Sequence, residues 1–318
     1  MYALGIDGGG SRTRALLCDA YGQIIGQGLS GGTNPRTSSA AELKVHLQEA
    51  IEQATRSIDC SKIIAAHFGL AGAGDAETKA KVRKITKEVL GEQTTCTIGH
   101  DLEIALAGGL ANNTGIVLVA GTGSACYGRT CDGRSAKCGG WGDLVDDVGS
   151  GSWIGLRALQ ACVSQTDGRL PKSLLKQAVM DFLKIDHMNT FKARIHDSGL
   201  SRSERARLAP IILDLASAGD AVSIAIVAEG VDALSSCVLS TSRQLDIKAP
   251  SVLLVGGLLQ HTYFSNSLKA ALNTRIPSAI ITQPILSPTA GAVLMALKAT
   301  SCEISDAAID KLKEASYS

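Results

Sequence analysis

The sequence predicts an α/β protein of two similar domains that face each other across a cleft. The chain has 318 residues, which is more than one average domain. Short apolar runs and amphipathic stretches follow the order β-β-β-α-β-α-β, and this order restarts near Ile116. In each half the first strand ends in a Gly-rich turn. Ligands of open α/β folds bind at the carboxyl ends of strands, so we expect the functional site at these turns.

The first half begins with three short apolar runs separated by Gly-rich or polar turns, which predict a meander of strands. Apolar residues at helical spacing then predict amphipathic helices that alternate with two further buried strands. The predicted strands are Ala3–Ile6, Ala15–Cys18, Ile24–Gly28, Ile63–Leu70 and Thr95–Ile98, and the predicted helices cover Ala40–Ile58, the surroundings of Ala80–Val89, and Leu102–Leu110.

The second half repeats this order with extra helices between about Ser150 and Gln244. A hairpin is predicted around Asp132-Gly133, a dipeptide typical of tight turns. The predicted strands include Ile116–Ala120, Val252–Val255 and Ala279–Thr282, and a final helix starts at Pro288. We assign residues 1–114 to the first domain and 115–318 to the second, with a hinge near Asn112–Gly115 and a last helix that can return to the first domain.

The composition excludes several classes of protein. The net charge is +1 without a polybasic run, which argues against nucleic-acid or anionic-membrane partners. The N-terminus lacks the features of a signal peptide, and we expect no apolar stretch long enough for a transmembrane helix. Nine scattered cysteines, an odd number, predict reduced thiols and a cytoplasmic location. Oligomeric state stays open, with a homodimer among the options.

The first motif is GIDGGGSRTR at residues 5–14. A buried strand carries Asp7 to its end, and three glycines then allow backbone N–H groups to surround a phosphate without Cβ clashes. It is neither a Walker A loop nor a GxGxxG fingerprint, and an ordinary Gly-rich hairpin is the structural alternative. The candidate phosphate-binding residues are Asp7, Gly8, Gly9, Gly10, Ser11 and Arg12.

A second small anion-binding turn, AGTGS, follows the strand that opens the second half. This turn, with its glycines and the hydroxyls of Thr122 and Ser124, occupies the same place in the second half as the first loop does in the first half. Two such loops at equivalent positions indicate phosphate binding more specifically than either motif alone. Between the two loops lies Asp101, just after a strand and at the start of a helix. We predict that it accepts a proton from an attacking hydroxyl, and a helix N-cap is the alternative.

Two further Gly-rich segments complete the candidate site. The segment CGGWGDLVDDVGSGSWIG, residues 138–155, combines glycines, Trp141 and the pair Asp146-Asp147, which suits a loop that binds sugar hydroxyls. A capped helix N-terminus would explain only its later residues. The segment VLLVGGLLQ ends a strand in Gly256-Gly257, which suits an adenine or ribose, although a plain strand-to-helix turn fits equally well.

In order and spacing these motifs resemble the BadF/BadG/BcrA/BcrD-type ATPase family, and within it the N-acetylglucosamine kinase group. The resemblance covers nearly the whole chain and is densest at GIDGGGSRT, HD at 100–101, VLVAGTGS, CGGWG, DVGSGSWIG, VGG and PTAGAVLMAL. It implies the two-domain ribonuclease-H-like fold of actin and hexokinase. It also implies ATP with Mg²⁺, domain closure over a small sugar, and phosphoryl transfer to the sugar 6-hydroxyl.

The resemblance implies a role for each matching position. Asp7 and the Gly8–Ser11 loop would hold the phosphates, with Asp7 reaching the metal through water. Thr122 and Gly123 would contact the phosphates from the second loop, while Ala216, Gly256 and Gly257 would line the adenosine site. The implied sugar ligands are Asn34, Asp101, Ser124, Ala125, Gly140, Trp141, Gly142 and Asp147.

The chain departs from the family pattern where the usual GDEGS reads DDVGS at 146–150, so that Val148 replaces a Glu. Ala125 follows GTGS, and Pro35-Arg36 follow Asn34. These departures leave the sugar open among N-acetylglucosamine, glucosamine, N-acetylmuramic acid and other hexoses. Two other functions stay open: an activator-type ATPase with an iron–sulfur cluster, and a sugar-binding pseudokinase. The hairpin also predicts that Cys126 and Cys138 lie opposite each other.

Overall fold

The computed structural model describes residues 1–111, 113–196, 199–300 and 304–314. The chain forms two compact units, the first made of Met1–Thr114 and Gln283–Ser318 and the second of Gly115–Thr282. The segment from Gln283 onward belongs with the first unit; our expected boundary kept it in the second domain up to residue 318 but allowed the last helix to return to the first. Asn112 of the expected hinge and Cys302 lie outside the described residues.

The first unit is built on a five-stranded sheet with the order β3-β2-β1-β4-β5. The first three strands form an antiparallel meander, and β4 and β5 run parallel to β1. Helix α1 starts at a capping box between Ser39 and Glu42. The elements are β1 Tyr2–Gly8, β2 Thr13–Asp19, β3 Ile24–Ser30, α1 Ala40–Thr55, β4 Ile63–Leu70, α2 Ala76–Leu90, β5 Thr95–His100 and α3 Asp101–Gly109, and later in the chain α11 Pro288–Ala299 and α12 Asp306–Glu314.

Alternation along the strands gives the first sheet two buried faces. Leu4 and Ile6 pack with α1 and α2 on one face, whereas Ala3 packs against α11 on the other. At Gly5 the place of a Cβ is taken by the backbone of α11, with the nitrogen of Val293 2.5 Å away. Because Asp7 is two residues beyond Gly5, it points to the face that α11 covers.

The second unit repeats the topology, with the strand order β10-β9-β6-β7-β8. Strands β6 to β8 are antiparallel, and β9 and β10 are parallel to β6. This confirms the predicted α/β fold class and the repeated strand order. The elements are β6 Gly115–Ala120, β7 Ser124–Arg129, β8 Ser135–Gly139, α4 Gly151–Thr166, α5 Leu174–Leu183, α6 Phe191–His196, α7 Arg202–Ala206, α8 Ala209–Ser217, α9 Ala221–Gln244, β9 Ser251–Val255, α10 Thr262–Arg275 and β10 Ile280–Thr282.

Helix α9 corrects one expectation from the sequence. Its length and apolar composition would allow it to cross a membrane, although we expected no such stretch. In the second unit, however, α9 packs against the sheet and against α8 and α10, and Val227, Leu234 and Val238 are buried in the common core. A long apolar helix is what the centre of this core requires.

Candidate active site

The register of the first sheet brings three chain segments to one edge. In the parallel strands Gly8 lies beside Leu70, and Leu70 lies beside His100. The Gly-rich loop after β1, the turn after β4 and the start of α3 therefore adjoin one another at the carboxyl ends of the strands. This is the edge where α/β folds bind ligands.

Backbone hydrogen bonds shape the first Gly-rich loop. The Gly9 N–H donates to the Arg12 carbonyl and the Thr33 N–H donates to the Gly9 carbonyl, both at 2.9 Å. A Cβ at Gly8 would collide with Thr33, so packing alone explains this glycine. A Cβ at Gly10 would meet no protein atom within 4 Å. The space in front of Gly10 is therefore available to a ligand.

Asp7 lies at the end of β1 and is largely buried. Burial and, to a lesser extent, the nearby charge of Asp101 raise the pKa of Asp7 to about 6, against a lowering by Arg14. Arg14 stands directly opposite Asp7 in the β1–β2 register and was missed by our sequence analysis. Two neighbouring carboxylates that both ionise need a compensating cation.

Asp101 is the first residue of α3, and the N-cap is His100. The His100 N–H donates to Glu103 Oε1 at 3.1 Å, which completes a capping box. Asp101 Oδ1 accepts from the Leu102 N–H at 3.0 Å and pairs with His100 Nδ1. The alternative interpretation of Asp101 as the helix cap is therefore wrong.

Asn34 lies close to the turn that follows β4. Its Oδ1 accepts a hydrogen bond from the Arg36 N–H at 2.9 Å, and a Cβ at Gly72 would collide with this oxygen. Arg36 in turn donates to the Gly72 carbonyl at 3.2 Å and pairs with Asp75 at 2.9 Å. These contacts hold Asn34 at the same edge of the sheet as Asp101.

The second Gly-rich loop is fixed to the start of α4. The Gly121 N–H donates to the Gly123 carbonyl at 2.9 Å. The Gly151 N–H donates to the Gly121 carbonyl at 2.7 Å, and the Ser152 N–H to the Thr122 carbonyl at 3.1 Å. The loop is thus preorganised by the second unit itself.

The segment after β8 has the backbone of a tight loop. Gly139, Gly140 and Gly142 have φ values of 76°, 73° and 104°, a region that favours glycine. The Trp141 side chain is 81% exposed, and its backbone N–H donates to Asp146 Oδ2 at 3.1 Å. The residue that replaces a family Gly, Asp146, therefore stabilises the loop from inside.

Asp147 is the buried acid of this loop, with 2% exposure and a left-handed φ of 60°. Burial raises the pKa of its carboxyl, while Arg202 lowers it. Ser124 Oγ donates to the Val148 carbonyl at 3.1 Å, so Ser124 is held beside Asp147. Val148 takes part through its backbone, which any residue at this position could provide.

Residues of the expected adenosine site differ in accessibility. In the parallel β6–β9 pair Val119 lies beside Val255, which places Gly256 against Ala120. A Cβ at Gly257 would meet no protein atom within 4 Å, so this position is open to a ligand. Ala216, by contrast, is buried in the core of the second unit, and its carbonyl accepts from Gly219 at 3.1 Å.

Comparison with known proteins agrees with this arrangement. Residues 4–296 match the sequence model of the BadF/BadG/BcrA/BcrD ATPase family. The chain belongs to this family. The N-acetylmuramic acid/N-acetylglucosamine kinase of Clostridium acetobutylicum is 33% identical over 303 residues, which are 93% of this chain and 98% of the relative.

Solved structures support the same relationship. A candidate N-acetylglucosamine kinase of Chromobacterium violaceum superposes with a TM-score of 0.71 at 26% identity, covering 92% of this chain and 98% of the other. A ROK hexokinase of Thermus thermophilus gives a TM-score of 0.60 at 16% identity, covering 95% and 99%, and shows the fold alone. The expected actin/hexokinase-type fold is therefore confirmed.

Two arginines of this family member were not predicted from the sequence. Arg202 Nη2 pairs with Asp147 Oδ2, and Arg205 Nη2 pairs with Asp143 Oδ2. Both arginines belong to the short helix α7, which packs against α4. The spacing of the arginines in RSERAR puts both on one side of a helical turn, but no sequence signal indicates their partners.

Proposed function

We propose that the chain is an ATP-dependent sugar kinase that transfers the γ-phosphoryl group to the 6-hydroxyl of an amino sugar, most simply N-acetylglucosamine. One observation carries the proposal: Asp7, an open Gly-rich loop and Asp101 adjoin at one edge of the first sheet. The relative from C. acetobutylicum is an N-acetylmuramic acid/N-acetylglucosamine kinase, which favours N-acetylmuramic acid as a second acceptor. Glucosamine and other hexoses are further candidates.

In the first unit, Asp101 would act as the general base. Its carboxylate accepts the proton of the sugar hydroxyl, whose oxygen forms a bond to the γ-phosphorus while the bond to ADP breaks. His100 and the Leu102 N–H hold the carboxylate in place. Asn34 would bind another sugar hydroxyl from the adjoining turn. Positioning of this kind is the main contribution a kinase makes to phosphoryl transfer.

The first Gly-rich loop would bind the nucleotide phosphates. Gly10 faces open space, Ser11 is exposed, and Arg12, whose side chain is also exposed, adds a positive charge. Phosphate oxygens accept hydrogen bonds from such backbone nests. Arg14 lies opposite Asp7 and limits the charge that the carboxylate adds beside the phosphates.

The second unit would supply nucleotide and sugar contacts of its own. Thr122 and Gly123 would contact phosphate groups, and the open turn at Gly257 would take part of the adenosine. Asp147 and Ser124 would bind sugar hydroxyls, together with backbone groups of the glycine segment. That segment includes Ala125, Gly140, Trp141 and Gly142.

The first unit offers a carboxylate that could serve as a ligand for Mg²⁺. Among the described residues no three His, Cys, Asp or Glu side chains form a complete metal cage. A protein that binds Mg²⁺ with a nucleotide needs only one or two carboxylates, because phosphates and waters supply the other ligands. Asp7, whose pKa is raised to about 6 by burial and by Asp101, is such a carboxylate. The ion would neutralise charge on the transferred phosphoryl group.

An assay of purified protein tests the proposal. ATP and Mg²⁺ are incubated with a panel of N-acetylglucosamine, N-acetylmuramic acid, glucosamine and glucose, and ADP release and sugar phosphate are both measured. We expect stoichiometric ADP and 6-phosphate with an N-acetylated amino sugar. ADP without sugar phosphate would favour an activator-type ATPase. Sugar binding without turnover would favour a pseudokinase.

A reducing intracellular compartment would suit this enzyme. The eight cysteines in the described part of the chain are all free thiols, and Cys60 and Cys131 are exposed. ATP and free sugars meet in the cytoplasm, which we therefore propose as the location. A homodimer is compatible with the proposed activity but is not required by it.

A further inference from the structure

We infer that Arg202 is an additional ligand of the nucleotide phosphates and the residue that couples phosphate binding to sugar binding. The inference rests on the proposed function and extends it, because it gives one ion pair, Arg202 with Asp147, a contact with both substrates. The starting observation is that the Arg202 guanidinium touches both Asp147 and Gly123.

The first contact of Arg202 is with the second Gly-rich loop, Gly121–Ser124, which is proposed to contact the nucleotide phosphates. A Cβ at Gly123 would collide with Nη2 of Arg202, so the guanidinium rests directly on the loop. The Arg202 side chain remains 43% exposed, which leaves donors of the guanidinium accessible from solvent. A phosphate group held by this loop would lie within reach of a charged, multidentate donor. Arginine binds phosphate oxygens with two parallel hydrogen bonds, a stronger interaction than a single contact.

The second contact of Arg202 is with Asp147, in the Gly-rich segment of residues 138–155 that is proposed to bind the sugar. Asp147 is 2% exposed and pairs with the same Nη2. A buried carboxylate needs a charged or hydrogen-bonding partner, and Arg202 provides it in the absence of substrates. A sugar hydroxyl that donates a hydrogen bond to Asp147 can replace Arg202 as the partner of this buried carboxylate. Each substrate therefore competes for one end of the same ion pair.

Cooperative binding follows from this shared ion pair. A phosphate that draws Arg202 toward itself leaves Asp147 unpaired, and a sugar hydroxyl removes that cost. A sugar that binds Asp147 first releases Arg202 for the phosphate. The coupling is reciprocal and should strengthen each substrate's binding in the presence of the other, typically by about 5- to 150-fold.

Helix α7 offers a matched control. Arg205 lies one turn after Arg202 and pairs with Asp143 of the same Gly-rich segment. Arg205 is not among the atoms nearest to a Cβ placed at Gly121 or at Gly123. Arg202→Met and Arg205→Met thus each remove one guanidinium and one carboxylate pair from α7. Only Arg202→Met also removes a contact with the second Gly-rich loop.

Calorimetric titration of the panel's best sugar acceptor, with and without saturating Mg²⁺ and AMP-PNP, measures the coupling as a ratio of two Kd values. We expect at least a fivefold ratio for wild-type protein and for Arg205→Met. For Arg202→Met the ratio should fall at least threefold below the wild-type value. Arg202→Lys, which keeps the charge, should retain part of the coupling, and thermal unfolding of each variant verifies that it is folded.

Three results would overturn the inference, each in a distinguishable way. A ratio for Arg202→Met within threefold of wild type, with both ligands binding, would refute the role of Arg202 and leave the proposed function intact. A wild-type protein that binds neither sugar nor AMP-PNP would refute the proposed function and this inference with it. A loss of coupling in Arg205→Met equal to that in Arg202→Met would assign the effect to α7 packing and also refute it.

Discussion

The two Gly-rich loops occupy equivalent positions in their sheets but differ in charge and support. The first follows Asp7 and is closed by the pair Gly8–Thr13. The second follows Ala120, is closed by the pair Ala120–Ser124, and is bonded to the start of α4. Two carboxylates, Asp7 and Asp101, thus lie near the first loop, whereas the one carboxylate described at the second, Asp147, is paired with Arg202 of α7. On the proposed mechanism, the same topological position serves catalysis in one unit and binding in the other.

The largest difference between the loops should appear on substitution of Asp101, beside the first loop. Asp101→Asn keeps the size of the side chain but removes the proton acceptor. We expect kcat to fall by about 10²–10⁴-fold with little change in KM, the usual contribution of a positioned base. Steady-state kinetics with the preferred sugar measures this effect.

The structure also supplies the control for this experiment. His100 caps α3, so the Asp101→Asn variant should unfold within a few degrees of the wild-type Tm. Turnover close to the wild-type value in this variant, once it is shown to be folded, would remove Asp101 from the mechanism and abolish the proposed contrast between the loops.

Asp7 should contribute the next effect, on stability rather than rate. In the folded protein its pKa is raised from 3.8 to about 6, so the folded state holds a proton that the unfolded state releases. Stability from this group is complete below pH 4 and is lost as the pH rises through 6. The free energy of unfolding of the unliganded Asp7→Asn variant should therefore be higher than that of wild type by about 3 kcal/mol at pH 7 and above.

Urea denaturation of both unliganded proteins between pH 4 and pH 8 measures this difference. If the difference in unfolding free energy between the two proteins stays constant from pH 4 to pH 8, burial does not raise the pKa of the Asp7 carboxyl. Ala120, the residue before the second Gly-rich loop, has no ionisable group, so we expect no such pH dependence from that position.

Two glycines of the first loop should separate packing from ligand binding. Gly8→Ala places a Cβ against Thr33 and should destabilise the protein by about 1–3 kcal/mol. Gly10→Ala meets no protein atom and should leave the Tm unchanged. It should nevertheless raise KM for ATP about tenfold, a loss of ~1.4 kcal/mol, because the methyl group occupies ligand space. Unchanged ATP kinetics in Gly10→Ala would exclude this loop from nucleotide binding.

The smallest effect is expected in the second loop. Gly123→Ala must displace the Arg202 guanidinium, which is the end of a flexible side chain. We expect KM for the sugar to rise about fivefold, or ~1 kcal/mol, with the Tm nearly unchanged. Gly121→Ala, whose Cβ would lie 4.0 Å from the Gly257 nitrogen, is the neighbouring control. Equal sugar kinetics in both variants would contradict the contact between Arg202 and the loop.

Sequence reasoning predicted the parts of the site that depend on local pattern. Asp7 lies at the end of β1 and Asp101 directly follows β5, and parallel register brings such positions to one edge. The hairpin around Asp132-Gly133 likewise predicted that Cys126 and Cys138 are opposed, and they are register partners. In each case the distance along the chain or the strand direction determines the neighbour.

The missed features depend on contacts between distant segments. Arg202 lies 55 residues from Asp147, and Arg205 lies 62 residues from Asp143. Their helix packs on α4 in a way that no periodicity indicates. For the last helix the sequence allowed a return to the first domain without indicating its contacts, since the backbone of α11 packs against Gly5 and Gly108, far earlier in the chain. Helical pattern predicts that α11 exists but not which sheet it covers.

The return of α11 has a consequence for biosynthesis. During translation the first sheet leaves the ribosome long before α11, so Ala3, Leu16 and Cys18 lack their covering layer while the second unit is synthesised. The second unit is continuous in sequence and can fold as soon as β10 emerges. The first unit, although synthesised first, should therefore be the last to complete its core, and its exposed sheet face is where a nascent chain would need a chaperone.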